Sequence, residues 1–215
     1  DATTIFPSAT VRNLGIILDP SLSFDAHIRS LSKTSFFHLQ RIVKLRPFIC
    51  RNDAEILVHA LITSRLDYCN SLFSGLSAHS ISRLQYIQNS AARMLTSNKK
   101  SAHITPILFD LHWLPVSSRI KYKIILLTYK ALNALSPPYL SDLLSSYVPS
   151  RSLRSSNSEL LWVPRFRLSS AGGRAFSVIA PILWNSLPIA LRTITTLTEF
   201  KSRLKTHLFN LHYQS

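Results

Sequence analysis

Apolar residues recur along most of this chain at the three-and-four spacing of helices, and two stretches depart from that spacing. The first is 11–18 (VRNLGIIL), β-branched and apolar, interrupted by Gly15 and followed by Asp19-Pro20. It reads as one strand ending in a turn. A single strand is not a stable unit, so it is expected to join a sheet whose other strands lie upstream. The second is 162–168, where Trp162, Pro164, Phe166 and Leu168 alternate with Val163, Arg165 and Arg167. A period of two containing proline predicts an edge strand or extended arm with a cationic face.

The rest is helical in pattern. Phe24, Ile28 and Leu31 open a stripe that continues to Leu39, Ile42 and Leu45. Asn52 with Glu55 three residues on is a cap signal, and Ile56, Ala60, Leu61, Ser64 and Tyr68 follow on one side until Gly75. Ile81, Leu84, Gln88, Ala91 and Leu95 form a third stripe, with Arg83 and Arg93 on the opposite face. The polar run 96–101 (TSNKKS) is the expected domain boundary. Thr105-Pro106 opens a short helix that 111–115 (LHWLP) stops. Ile120, Ile124, Leu127 and Ala131 mark a longer helix, ended before Pro137-Pro138.

Residues 145–158 are rich in Ser and Arg, have no hydrophobic period, and are expected to form an exposed loop. Gly172-Gly173 reads as a bend before a helix. The last helix has Thr196 and Glu199 as a capping box and Phe200, Leu204 and Leu208 as its stripe. The expected fold class is mainly α. A three-helix bundle is preceded by one strand and followed by a second small helical region with a short extended arm.

Charge adds a partner to this picture. The 215 residues carry 25 Lys and Arg against 10 carboxylates, a net charge of +15. Residues 1–150 hold 16 bases and 8 acids, whereas 151–215 hold 9 and 2, so the shorter C-terminal part is the more electropositive. Such an excess points to a polyanion, bound by release of counterions from a phosphate backbone. Membrane-surface binding fits poorly, because the basic residues are not gathered on one helix with an apolar back. Nor is there a charged-then-apolar leader or an apolar run near the length of a bilayer span.

The chemistry is limited by what is missing. Two-metal phosphoryl transfer needs closely placed carboxylates, yet the seven Asp residues (1, 19, 25, 53, 67, 110 and 142) are isolated from one another. Three Ser-x-x-Lys matches, beginning at Ser30, Ser97 and Ser118, lack the companion motifs of a serine acylase. Cys50, His59 and Cys69 are too far apart for a zinc knuckle. Both cysteines read as small core residues of an intracellular protein. The eight histidines form no His-x-x-x-His pair, and His112 beside Trp113 reads as a packed or capping residue. No catalytic residue and no cofactor are expected in this chain.

Specific words in the sequence carry a resemblance. VRNLGI at 11–16, then Leu22-Ser-Phe and His27-Ile28, resemble the strand and helix after the palm of non-LTR, LINE-type reverse transcriptases. SRLDYCN at 64–70, and Leu84-Gln85 through Gln88-Asn89-Ser-Ala-Ala-Arg93, look like the thumb of jockey-like elements. His103-Ile-Thr-Pro106, LHWLPV at 111–116 with Arg119-Ile120, and Tyr129-Lys-Ala-Leu132 look like the tail of the same reading frames. So do Arg151-x-Leu-Arg-Ser155, Ala180-Pro with Leu183-Trp-Asn185, and Phe200-Lys201 with Leu204-Lys-Thr206.

The resemblance implies that 1–22 is the end of a palm with its primer-grip strand, 23–98 a helical thumb, and 99–215 a basic helical C-terminal region. Leu14 and Gly15 would be the primer grip, with Gly15 letting the backbone approach a nucleotide. Arg65, Arg83, Arg93, Lys99 and Lys100 would contact phosphates from the thumb, and Arg151, Arg154, Arg165 and Arg167 from the tail. The expected partners are template RNA, the RNA–DNA hybrid, target DNA and an upstream palm and finger domain, in the nucleus or cytoplasm. Mg2+ would sit in that upstream palm. With only Met94 in the sequence, the chain is expected to begin inside a longer protein, an RNA-directed DNA polymerase performing target-primed reverse transcription. The alternative is a host-recruited or relic non-enzymatic helical protein that binds RNA or protein. Trp113, Trp162 and Trp184 could stack on bases, but in apolar patterns such residues are more often core.

Overall fold

The structure, a computed structural model, describes residues 8–99, 101–148, 159–168 and 172–214. The protein is mainly helical, with a small antiparallel sheet near its N-terminus. It divides into two compact units, Asp1–Val116 and Ser117–Ser215.

The first unit opens with a hairpin rather than the single strand expected. β1 (Val11–Asn13) pairs with β2 (Ile16–Leu18), Val11 opposite Leu18 and Asn13 opposite Ile16, leaving Leu14-Gly15 as a two-residue turn. Both turn residues have positive φ (45° and 85°), as a primed hairpin turn requires. Leucine seldom adopts this conformation, which is why the pattern read as continuous.

Asp19 organises the next loop. Its carboxylate accepts the backbone N–H groups of Ser21, Ser23 and Phe24 at 3.2, 2.9 and 2.8 Å, and both serine hydroxyls. These bonds offset the left-handed backbone of Leu22 and Phe24 and hold the carboxyl well below the usual carboxylate range.

Three helical rods follow. α1 (Asp25–Leu45) buries Ile28, Leu39 and Ile42, as its stripe predicts, but leaves Leu45 exposed. The second rod is continuous from α2 (Arg51–Val58) through a π turn (His59–Thr63) to α3 (Ser64–Asp67). Its buried side is Ala54, Val58, Ile62 and Leu66, whereas Ile56 and Tyr68 of the expected stripe are exposed. Two apolar faces compete on this rod, and packing selects the i, i+4 row. Its N-cap is Cys50 rather than Asn52: the sulfur accepts from the Asp53 N–H at 3.4 Å. Cys50 is exposed and Cys69 half-buried, so neither is the core residue expected.

The third rod, α4 (Ala78–Thr96), buries Leu84, Ile87, Gln88, Ala91 and Leu95 and packs along α1. The expected boundary at 96–101 does not end the unit. α5 (Ile104–Asp110) returns against α4, and Gln88 Nε2 donates to the Leu114 carbonyl at 2.9 Å. The Val116 N–H donates to Gln85 Oε1 at 2.8 Å. Two glutamines on one helix thus hold 114–116, and the compact division falls at 116/117.

In the second unit, α6 (Val116–Leu132), α8 (Phe176–Asn185) and α10 (Leu197–Tyr213) supply the core, with short α7 (Pro138–Ser141) and α9 (Ile189–Arg192) between them. Tyr129 stacks on Phe200 with centroids 4.0 Å apart, and Trp184 lies 6.0 Å from the same ring. Phe200, Leu204 and Leu208 are buried as the last stripe predicts. The capping box is not formed: Thr196 is the N-cap without a side-chain bond, and Glu199 pairs with Arg203 at 2.9 Å. The arm at 162–168 is extended without a ladder of its own. Its bridge pairs Ser146 with Leu161, and Leu161 is the buried residue while Trp162, Phe166 and Leu168 face solvent.

Candidate nucleic-acid interface

The hairpin folds onto α1 and the second rod, and the turn is pinned from the rod's far end. Tyr68 Oη donates to the Leu14 carbonyl at 2.7 Å, across 54 positions. Below the turn opens a cleft of ≈ 430 Å³ lined by Arg12, Gly15, His27, Thr34, Ser64 and Arg65, among others. The lining contains two guanidiniums, three hydroxyl residues besides Tyr68, and no carboxylate. Thr34 and Ser64 donate their hydroxyl protons to the Ser30 and Ala60 carbonyls, so the guanidiniums of Arg12 and Arg65 are what the concavity offers an anionic oxygen.

His27 forms part of the wall. It is 7% exposed, tilted against Phe73 at 5.7 Å, and its Nδ1 accepts the Ile17 N–H at 3.4 Å. The proton therefore sits on Nε2, which is buried and finds no partner among the described residues. Burial, and then the Arg12 charge, push the imidazole pKa below its usual value, so the ring is neutral at pH 7.

The residues expected to bind nucleic acid separate into groups. Leu14 and Gly15 are brought to Arg65 by the hairpin and the rod. Arg65 Nε donates to the Leu61 carbonyl at 3.1 Å, the bond orienting its guanidinium along the rod. Gly15 serves the turn: a Cβ there would meet Tyr68 at an ordinary 3.7 Å, so its φ of +85° is what demands glycine. Arg83 is half-buried on α4, a helix without a single carboxylate, and makes no ion pair or side-chain hydrogen bond among the described residues.

Arg93 is turned to a structural task. Its Nη2 donates to the Ala102 carbonyl at 3.1 Å, and its Nε is enclosed. Lys99 is exposed in the turn after α4, and Arg165 and Arg167 are exposed on the arm. Lys100, Arg151 and Arg154 lie outside the described residues.

Sequence reasoning missed Arg12, His27, Thr34 and Tyr68. The signal for Arg12 was its position two residues before a turn, legible only once 11–18 is seen as a hairpin. Tyr68 sat inside an apolar stripe and inside the SRLDYCN word at 64–70, and neither marks it as the partner of the turn. Among the described residues, no three His, Cys, Asp or Glu side chains are placed to hold a metal ion, and no helix is long and apolar enough to cross a membrane. A scan against protein-family models, a search of curated proteins and a search of solved structures find no match to this chain.

Proposed function

We propose that this chain is the primer-grip, thumb and C-terminal portion of a LINE-type reverse transcriptase, holding the RNA–DNA hybrid without catalytic residues of its own. The observation that carries the reading is the carboxylate-free cleft under the Leu14-Gly15 turn, where Arg12 and Arg65 flank a backbone pinned by Tyr68. A turn of this shape offers its peptide edge and two cations to one sugar-phosphate strand, which positions a duplex without reading its bases. Arg83 on the acid-free α4 extends the same electropositive unit. The metal-dependent step belongs to carboxylates outside this chain.

The test is equilibrium binding of a primed RNA–DNA hybrid, single-stranded RNA and duplex DNA across a salt series. Preference for the hybrid, with a steep salt slope, is expected. The double variant Arg12→Ala/Arg65→Ala should lower that slope by about 2 contacts, at about 0.9 per phosphate. An unchanged slope, or equal weak binding to all three, overturns the proposal.

A second reading, a non-enzymatic binding protein, is favoured by a different surface. An apolar groove between α1 and α4 is lined by Phe36, Leu39, Val43, Tyr86 and Met94 and rimmed by Lys44 and Arg93. Protein capture there, without hybrid binding, would select it.

A further inference from the structure

The second unit carries an open strip, a pair of aromatic rings with two exposed cations further along the same arm, and none of these residues lines the cleft above. The chain doubles back so that the Tyr147 N–H donates to the Leu160 carbonyl at 2.9 Å and the Trp162 N–H to the Ser145 carbonyl at 2.8 Å. In that antiparallel register Tyr147 and Trp162 are diagonal neighbours on one face, opposite to the face of Leu161. Their rings are nearly parallel, 8° apart with centroids separated by 6.3 Å, and they are 44% and 51% exposed.

The strip is anchored from behind. The Asn185 side chain accepts the Leu161 N–H at 2.9 Å and donates to the Leu161 carbonyl at 2.8 Å, replacing a neighbouring strand. Trp184 Nε1 donates to the Glu159 carbonyl at 2.9 Å. Further on, Phe166 lies so close over Gly172 and Gly173 that a Cβ on either would sit 3.3 Å from it. Exposed Arg165 and Arg167 flank Phe166, and neither makes an ion pair or side-chain hydrogen bond among the described residues.

We propose that this strip binds the unpaired bases of a single-stranded nucleic acid. The Tyr147 and Trp162 faces stack on bases, and the Arg165 and Arg167 guanidiniums hold the adjoining phosphates. Paired aromatic rings also suit a proline-rich peptide. The two uncompensated guanidiniums, in a chain of net charge +15, favour the polyanion. The strip selects single strands because a hybrid keeps its bases paired and stacked, out of reach of an exposed ring.

Intrinsic fluorescence tests this directly. Trp113 and Trp184 are 4% and 1% exposed, so quenching by an added macromolecule reads Trp162. The full chain is titrated with a short oligouridylate, a duplex of equal length, inorganic polyphosphate and a proline-rich peptide. Saturable quenching by the oligouridylate alone is expected. Trp162→Ala should weaken its binding about 10-fold, measured by anisotropy of labelled oligonucleotide, while Trp162→Phe, which keeps a ring, retains most of the affinity.

Arg165→Ala/Arg167→Ala should flatten the salt dependence. All these positions are solvent-exposed, and far-ultraviolet circular dichroism checks that each variant folds. Equal quenching by polyphosphate, quenching by the peptide alone, or unchanged affinity in Trp162→Ala overturns the proposal. Hybrid binding through Arg12 and Arg65 is read separately, in the variants of the first unit.

Discussion

Tyr68 does the work of a latch: one phenolic hydrogen bond fixes a turn that contains a left-handed leucine. Tyr68→Phe removes that bond and should cost about 1 kcal/mol, felt in the hairpin before the helices. Gly15→Ala keeps the space but not the φ of +85°, and should cost about 1 kcal/mol. Chemical denaturation of each variant reads both effects.

His27 makes the first unit sensitive to acid. Its folded pKa lies below its unfolded value of about 6.5, so the unfolded chain binds more protons as pH falls through that value. Stability is fully present above about pH 7 and declines as pH falls through the unfolded value towards the lowered folded one. Denaturant midpoints at pH 7.5 and 5.5 should differ more in the wild type than in His27→Asn, and parallel profiles would refute this. Asp19 has the opposite sense of charge with the same direction in pH. Its depressed carboxyl stabilises above about pH 4, and that contribution is lost as pH falls through the lowered folded value.

At the scale of elements, the hairpin and the helical rods differ in what supports them. Two strands of three residues each are marginal alone and rest on α1 and the second rod. Amide exchange should therefore be faster across β1 and β2 than across α4, and the reverse order would show that the hairpin is not the weak element. In α4, Leu84 is 1% exposed, and Leu84→Ala should cost about 2–5 kcal/mol in a denaturant melt of the whole chain. The period of that stripe was legible because one face alone is apolar. The second rod has two candidate faces, so its register could not be read. Its π turn at His59–Thr63 shifts the rod further from an ideal helical period.

Across the whole molecule, the net charge of +15 is what the proposed polyanion binding draws on, while the packing sets which cations are left open to take part. Arg93 and Arg65 look alike in sequence and each donates to a backbone carbonyl, yet Arg93 ties down Ala102 beyond its helix while Arg65 bonds within its own rod and lines the cleft under the turn. Arg93→Ala should therefore lower stability more than it lowers hybrid affinity, and Arg83→Ala should do the reverse. A thermal melt paired with hybrid anisotropy separates the two.

The sequence by itself determined the helical class, the main stripes of α1, α4 and α10 and the net charge, each a local period or a sum over residues. The bend expected at Gly172-Gly173 is instead a turn of 3-10 helix over Gly172–Arg174. Tertiary structure alone decided that 11–18 folds back on itself, that Tyr68 faces the turn, and that Gln85 and Gln88 carry the first unit through Val116. It also decided that Leu161 and not Trp162 goes inward. In each case two faces or two partners were equally apolar or equally polar in the local pattern, and contacts between residues distant in the chain chose between them.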